Sequence, residues 1–131
     1  MRYIVQYLEP GLHLAELTPK GVAERLRESL AVLPIEAVLL GWELPRPLVE
    51  TCAVEATRFG AALYLWHPRL TAQGAPASWP AWRTVGADGQ PTPSDGDLAE
   101  FTFLCPNHPQ ARAWVWERLD KAVEAGPFAG V

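Results

Sequence analysis

The stretch that decides the fold covers residues 101–131 and reads FTFLCPNHPQARAWVWERLDKAVEAGPFAGV. It predicts a short extended run, a turn marked by proline and asparagine, and a long helix that ends at Gly126 and Pro127. Residues 128–131 then begin another strand. The apolar positions of the helix recur at helical spacing and predict one buried stripe: Ala111, Val115, Leu119 and Ala122. The stretch therefore predicts one helix–strand step of an alternating α/β chain.

Upstream of this stretch, three short runs are almost wholly apolar. They cover residues 3–8, 37–42 and 62–67, and they are rich in β-branched, aromatic and leucine side chains. Such runs are typical of strands that are buried on both faces of a parallel sheet. A turn of glycine, proline or glutamate follows each run.

Two amphipathic segments separate the three runs. Thr18 predicts an N-cap, with Pro19 at the first helical position, for a helix that closes near Leu33. A second helix is predicted over residues 47–59, with Gly60 as its terminator. This alternation predicts right-handed βαβ units and a parallel sheet, hence an α/β fold.

The alternation pauses at residues 69–98, which are rich in glycine, proline, serine and aspartate. We expect a long loop there, and loops of this length in a compact domain are uncommon and often functional. Asn107 or His108 is expected to cap the third helix, with Pro109 in its first turn. The whole chain, residues 1–131, is predicted to form a single domain.

Composition excludes several classes of function. The 131 residues include 49% hydrophobic residues and carry a net charge of −4, which indicates a globular chain without the basic surface of a nucleic-acid binder. No apolar run approaches the roughly 20 residues that span a membrane, so no membrane partner is expected. The start, MRYIVQYLEP, has no signal-peptide pattern, which favours the cytoplasm, or secretion if a signal peptide has been removed.

The cysteines and histidines favour neither a disulfide framework nor a metal site. The chain has two cysteines, Cys52 and Cys105, which we interpret as free thiols. Its three histidines are widely spaced, and no nucleotide-binding motif is present. We therefore expect no metal and no cofactor.

Motifs in residues 82–91, 103–112 and 128–131 resemble those of bacterial glycoside hydrolase-like (βα)8 barrels. Residues 103–112, FLCPNHPQAR, resemble a segment near L-x-P-x-x-P-x-x-R that opens the third helix of those proteins. Residues 82–91, WRTVGADGQP, are similar to the W-x-x-x-x-x-D-G-x segment that precedes it. Residues 128–131, FAGV, resemble the start of the fourth strand, with Ala129 at a position where the family has Asp. The motifs cover about residues 61–131, and the first 60 residues match only by their βα rhythm.

The resemblance implies parallel βαβ units that form about half of a TIM-type barrel. A full barrel takes about 250 residues, so this chain would supply three βα units and the start of the fourth strand. It also implies that the catalytic acid of the fourth strand would follow Val131. The partner would then be a second copy of the chain, in a homodimer, or the missing C-terminal half of the barrel.

In TIM barrels the active site lies at the C-terminal ends of the strands, which selects the candidate residues. Glycoside hydrolysis uses two carboxyl groups, for which Glu43 and Glu9 are the candidates. Each has a structural alternative as a solvated loop charge or a helix-capping acid, and we favour that explanation on burial habits. The expected substrate-binding residues are Trp42, Trp66, His67, Trp82, Asp88 and Asn107.

Each substrate-binding candidate has a structural alternative. A tryptophan stacks on the C–H face of a sugar ring, or it packs in the core or anchors a loop. The strand-end histidine binds a sugar hydroxyl, or it is hydrogen-bonded within the protein. Asn107 is better explained as a helix cap. Two hypotheses follow: a glycoside hydrolase-like protein that acts on or binds a polysaccharide, and a non-catalytic carbohydrate-binding or assembly module.

Overall fold

The computed structural model of the protein describes residues 2–91 and 102–131, apart from the side chain of Leu12. Contacts divide the chain into two compact units. The first, here the sheet unit, comprises Met1–His67 and Lys121–Val131. The second, here the loop unit, comprises Pro68–Asp120. The prediction of one domain over residues 1–131 stays a prediction.

Strands and helices alternate through the first half of the chain, as the apolar runs predicted. In chain order the elements are β1 (Tyr3–Leu8), α1 (Pro19–Val32), β2 (Ile35–Leu40), α2 (Arg46–Phe59), β3 (Ala62–Leu65) and α3 (Pro109–Val123), with short 3-10 helices at Leu12–Glu16 and Trp79–Trp82. No helix in the described part of the chain is both long enough and apolar enough to cross a membrane.

The sheet has three parallel strands in the order β1-β2-β3. Residues 128–131 lie beside β3, where Gly130 forms a parallel bridge with Tyr64. The Ala129 N–H donates to the Leu63 carbonyl at 2.7 Å, and the Leu65 N–H donates to the Gly130 carbonyl at 3.0 Å. The predicted α/β class with parallel strands is therefore confirmed.

The helix signals in the sequence act as predicted. The Thr18 hydroxyl oxygen accepts a 3.1 Å hydrogen bond from the Gly21 N–H, which satisfies a donor in the first turn of α1. Gly60 ends α2 with φ of 70°, a left-handed conformation that favours glycine. Two strands differ by a few residues from prediction: β2 begins at Ile35 instead of residue 37, and β3 ends at Leu65 instead of residue 67.

One face of the sheet packs against α1 and α2. Its core includes Val38, Leu40 and Leu63 from the strands, with Leu26 and Cys52 from the helices. Cys52 is fully buried, and burial raises the pKa of its thiol to about 12. The opposite side of the sheet, here the open face, carries Ile4, Gln6, Leu39, Ala62 and Tyr64.

An ion pair links α1 to α2. The Arg27 guanidinium donates to both carboxylate oxygens of Glu55, from Nε at 3.0 Å and from Nη2 at 2.6 Å. Glu55 is buried, and the hydrogen bonds from Arg27 lower the pKa of its carboxyl below the ordinary value. This bidentate contact fixes the register of the two helices that cover the sheet.

The loop unit has its own core, although the sequence predicted only a long loop at residues 69–98. Antiparallel bridges join Thr71 to Phe103 and Arg83 to Leu104. The buried residues of this core are Ala72, Trp82, Leu104, Ala111 and Val115. Residues 92–98 of the predicted loop, and Phe101 of the predicted extended run, lie outside the described residues. Over the described part, tryptophans and small aliphatic residues build a packed unit without regular strands.

Candidate functional site

The candidate residues of the sheet unit gather where its three parallel strands end. Parallel strands share one carboxyl edge, and the segments that follow them are neighbours. The Gly41 N–H donates to the Leu8 carbonyl at 2.7 Å, and the Trp66 N–H donates to the Leu40 carbonyl at 2.7 Å. Here the carboxyl edge means residues 9–11, 41–45 and 66–67. It contains Glu9, Trp42, Glu43, Trp66 and His67, five of the eight predicted site residues.

Gly41 permits a close approach of the first two of these segments. A Cβ atom at this position would lie 2.7 Å from Pro10 Cδ and 3.1 Å from the Cα of Glu9. Any side chain here would therefore push the β1 and β2 segments apart. Because Gly41 has no side chain, the backbone of Glu9 packs directly against it, next to Trp42 in the sequence.

Trp42 and Trp66 form an aromatic pair at the carboxyl edge. Their ring centroids are 5.8 Å apart and their planes are inclined at 85°, the edge-to-face geometry that aromatic pairs favour. Trp66 keeps 45% of its surface exposed, while Trp42 is half-buried. The indole N–H of Trp42 is buried and finds no acceptor among the described residues. Trp66 is therefore partly exposed beside a less exposed indole at a defined angle.

The two carboxylates of the edge differ in how they are held. Gln6 donates its side-chain amide N–H to Oε1 of Glu9. Because Gln6 projects from the open face, this bond turns the Glu9 carboxylate toward that face. Glu43 is exposed and has φ of 55°, a left-handed conformation that is uncommon for a residue other than glycine, asparagine or aspartate. Backbone strain of this kind occurs frequently at functional sites.

His67 lies at the same edge, but it is only 7% exposed. A ring that is this deeply buried presents little surface to a ligand. The burial of His67 agrees better with its structural alternative, a hydrogen-bonded histidine at the strand end, than with contact to a sugar hydroxyl.

The other three predicted site residues belong to the loop unit. Trp82 is 5% exposed, packs near Trp114 with ring centroids 6.5 Å apart, and donates its indole N–H to Gln110 Oε1 at 3.1 Å. These contacts assign Trp82 to the core of the loop unit. It has little exposed face on which a sugar ring could stack.

Asp88 and Asn107 are exposed and lie in turns. The Asp88 carboxylate accepts the Gln90 N–H at 3.0 Å, as turn residues do. Asn107 does not directly precede α3. His108 does, and its carbonyl accepts the Arg112 N–H at 3.0 Å. Of the two predicted cap residues, His108 therefore occupies the position before the helix.

Sequence reasoning missed a groove on the open face of the sheet. It has a volume of about 620 Å³, and its apolar wall includes Ile4, Leu39, Ala62, Tyr64 and Trp66. Ile4 is 63% exposed, which is unusual for a strand residue of its size. Trp66 lines the groove and also belongs to the carboxyl edge, so the two features are continuous. The same-face pair of Ile4 and Gln6 in β1 was the available signal, but β2 and β3 are apolar on both faces apart from Glu36.

The part of the chain that the structure describes contains no group of three or more histidine, cysteine, aspartate or glutamate residues arranged to hold a metal ion. Comparison with protein-family models, with curated proteins and with solved structures found no match. The arrangement at the carboxyl edge must therefore be interpreted from its own chemistry: an exposed indole, a supporting indole and two carboxylates.

Proposed function

We propose that the chain is part of a glycoside hydrolase-like (βα)8 barrel and that its carboxyl edge binds a polysaccharide. The observation that carries the proposal is the exposed surface of Trp66, which packs edge-to-face with Trp42 at a centroid distance of 5.8 Å. Sugar rings present apolar C–H faces that pack on an indole. An indole that its neighbours already hold in place loses little conformational entropy when it binds a sugar ring. The two neighbouring carboxylates accept hydrogen bonds from sugar hydroxyls.

The strand order supports the barrel part of the proposal. In a barrel wall, consecutive strands lie side by side in chain order and all run parallel. Here β1, β2, β3 and then residues 128–131 follow one another in that order. Doubly wound sheets instead reverse their order at a switch point beside the first strand. The sequence resemblance to the barrel family agrees with this order.

The open face supports the partner that we propose. In a closed barrel the face carrying Ile4, Leu39 and Tyr64 would be the interior, covered by the other strands. A soluble protein rarely leaves an apolar patch of several hundred Å² uncovered. The cover is either a second copy of the chain or the other half of the barrel. The same face favours the second candidate function, a non-catalytic assembly module. We also propose a cytoplasmic location, with secretion as the alternative if a signal peptide is removed, and the free thiols of Cys52 and Cys105 support the cytoplasm.

Binding is tested by titrating the chain with neutral β-linked hexasaccharides in a calorimeter. We expect millimolar affinity or better, and a loss of about five- to tenfold in Trp66→Ala, the size of one aromatic contact of about 1–1.5 kcal/mol. Trp116→Ala is the matched control, because Trp116 is 58% exposed but lies on α3. Equal weakening by both variants, or no heat at millimolar sugar, would reject the proposal.

Catalysis by this chain alone is expected to be negligible. Both hydrolytic mechanisms require two positioned carboxyl groups, and the Glu9 carboxylate is already engaged by Gln6. Assays of the pure chain on a panel of aryl glycosides should show no turnover above background. Robust turnover that disappears in Glu43→Gln would instead identify Glu43 as a catalytic residue and would favour the hydrolase over the binding module.

A further inference from the structure

We infer that two copies of the chain associate through β1, with their β1 strands paired antiparallel about a two-fold axis at Val5. This inference rests on the second candidate function, the assembly module, and identifies its partner as another copy of the chain. A closed barrel would pair the same edge with a parallel strand, so the direction of the added strand separates the two candidate functions.

The edge of the sheet at β1 lacks the charges and prolines that keep most edge strands apart. In the part of the chain that the structure describes, β1 pairs with β2 alone. Its sequence, YIVQYL, contains neither a charged residue nor a proline, and it is rich in residues that favour strands. The pairing with β2 shifts register at each end, between Tyr3 and Ile4 and between Gln6 and Leu8. The regular part of the edge is therefore Ile4–Gln6.

The backbone groups of Ile4 and Gln6 point away from β2. The Leu40 carbonyl accepts the Trp66 N–H at 2.7 Å, so Leu40 directs its backbone groups toward the β3 side. Successive strand residues alternate, so Leu39 directs its own groups toward β1. Leu39 lies opposite Gln6, and in a parallel pair only one of two opposed residues bonds across the pair. Gln6 therefore directs its N–H and C=O outward, and Ile4, two residues earlier, does the same.

Antiparallel pairing about Val5 uses all of these outward groups. A two-fold axis at Val5 places Ile4 of one copy opposite the partner's Gln6, and Gln6 opposite the partner's Ile4. Each opposed pair of this kind exchanges two N–H···O bonds, so the two pairs make four hydrogen bonds across the interface. The stretch Ile4–Gln6 is thus complementary to a second copy of itself.

The charges at the ends of β1 fit the same arrangement. Arg2 precedes the strand and lines the groove of the open face, with 78% of its side chain exposed. Glu9 follows the strand, and its contact with Gln6, a residue of the open face, uses one carboxylate oxygen. Antiparallel pairing brings Arg2 beside the partner's Glu9 on that face, twice in the dimer, and opposite charges attract. In-register parallel pairing would instead place like charges together.

The ion pair that Arg2 makes within its own chain does not compete strongly with this contact. Its Nη1 lies 3.7 Å from Glu36 Oε2, and both side chains are exposed. Exposed pairs at this distance contribute little to stability. Glu36 keeps its contact with water when Arg2 turns away, so the exchange leaves no buried charge without a partner.

The first test uses the unmodified chain at rising concentration. Sedimentation equilibrium should show a reversible monomer–dimer equilibrium. Amide hydrogen exchange over the same concentrations, followed by NMR, should slow at Ile4 and Gln6, whose N–H groups gain acceptors in the dimer. Exchange at Val5, whose N–H faces β2, should change less. A dimer in which Ile4 and Gln6 exchange as fast as in the monomer would overturn the inference.

Charge reversal tests the direction of the pairing. Arg2→Glu and Glu9→Arg should each raise the dissociation constant of the dimer by about tenfold or more, because each variant places two like pairs across the interface. An equimolar mixture of the two variants should regain the wild-type affinity, since the mixed dimer restores both opposite pairs. This recovery would also show that both variants fold. A mixture that dimerises as weakly as its components would contradict antiparallel pairing.

Lys20→Glu is the matched control for the reversals. It reverses an exposed charge on α1, away from the β1 edge, and should leave the dissociation constant of the dimer unchanged. If Lys20→Glu weakened the dimer as much as Arg2→Glu does, the effect would come from net charge alone, and the inference would fail.

The outcomes separate this inference from sugar binding at the carboxyl edge. A chain that stays monomeric at every concentration, yet loses hexasaccharide affinity in Trp66→Ala, would overturn the inference and leave the sugar-binding proposal standing. A dimer that Tyr64→Lys dissociates and both charge reversals leave intact would place the contact on the open face and overturn the inference too. A dimer with the expected charge behaviour but no affinity for hexasaccharides would support the inference and reject sugar binding.

Discussion

The sheet unit and the loop unit are built by different means. The sheet unit has parallel strands, two capped helices and a core of fifteen buried residues among those described. The loop unit has five such residues, two isolated bridges to its extended segment and a cluster of indoles in place of strands. Regular backbone pairing satisfies many polar groups at once, so the first unit can rely on aliphatic packing. The second unit depends on a few large aromatic side chains, so each of these contributes a larger share of the stability of its unit.

The largest effect is expected for Leu26→Ala in the sheet unit. Leu26 is fully buried on α1, and removing its side chain leaves a cavity among close-packed neighbours, at a cost of about 2–5 kcal/mol. Hydrogen exchange should then rise across Met1–His67 while residues 102–120 keep their protection. Exposed Val32→Ala on the same helix is the control and should change little. Simultaneous loss of protection in both units would show one cooperative domain.

Leu104→Ala is the corresponding change in the loop unit. Leu104 is also fully buried, but it belongs to the smaller core, which relaxes more readily around a cavity. We expect a cost toward the lower end of the same range, about 2–3 kcal/mol. Exchange should rise within the loop unit, with β1 to β3 unchanged. A larger loss than that caused by Leu26→Ala would contradict the comparison of the two cores.

Two glycines provide a matched pair across the units. Gly60 in the sheet unit has φ of 70°, Gly89 in the loop unit has φ of 75°, and no atom lies within 4 Å of a Cβ built on either. Alanine at each position should therefore cost only its backbone strain, about 1 kcal/mol. Urea denaturation of the two variants should show similar decreases in the midpoint concentration relative to the wild-type chain. Markedly unequal shifts would mean that one turn adapts and the other does not.

The smallest expected effect is a change in how the stability of the sheet unit depends on pH under acidic conditions. The lowered pKa of Glu55 means that its contribution to stability is present above the ordinary glutamate pKa of about 4.3 and is lost as pH falls through the lower, folded value. Wild-type stability should therefore decline below about pH 5, and Glu55→Gln should flatten that decline. Glu24→Gln, on the surface of α1, should retain the wild-type slope. Identical slopes for all three chains would exclude a role for the Arg27–Glu55 pair.

The fold of the sheet unit could be predicted from the sequence better than the fold of the loop unit. Caps, terminators and apolar runs are local signals, so Thr18, Gly60 and the three strands could be recognised from sequence. The core of the loop unit could not, because Trp82 meets Leu104 and Ala111 only through contacts distant in sequence. Apolar residues on both faces of β2 and β3 also hid which side faces the helices. Tertiary contacts determine both the core of the loop unit and the face of the sheet that packs against the helices. The periodicity of the sequence does not reveal such contacts.

The candidate site shows a similar limit. That Trp42, Glu43, Trp66 and Glu9 follow strands could be read from the sequence, and parallel strands bring such positions to one edge. Sequence could not distinguish the exposed Trp66 from the buried Trp82, since both are tryptophans beside glycine- or proline-rich segments. Gln6 gave no signal at all, because its importance lies in a side-chain contact with Glu9.

The two cysteines should react with an alkylating reagent at very different rates. Cys52 belongs to the sheet unit, fully buried and with a thiol whose raised pKa keeps it from forming the reactive thiolate. Cys105 belongs to the loop unit and is partly accessible. An alkylating reagent should label Cys105 from the folded protein, whereas Cys52 should wait for the sheet unit to open. The delay between the two mass additions on one molecule would therefore report the opening of the sheet unit, without any engineered probe.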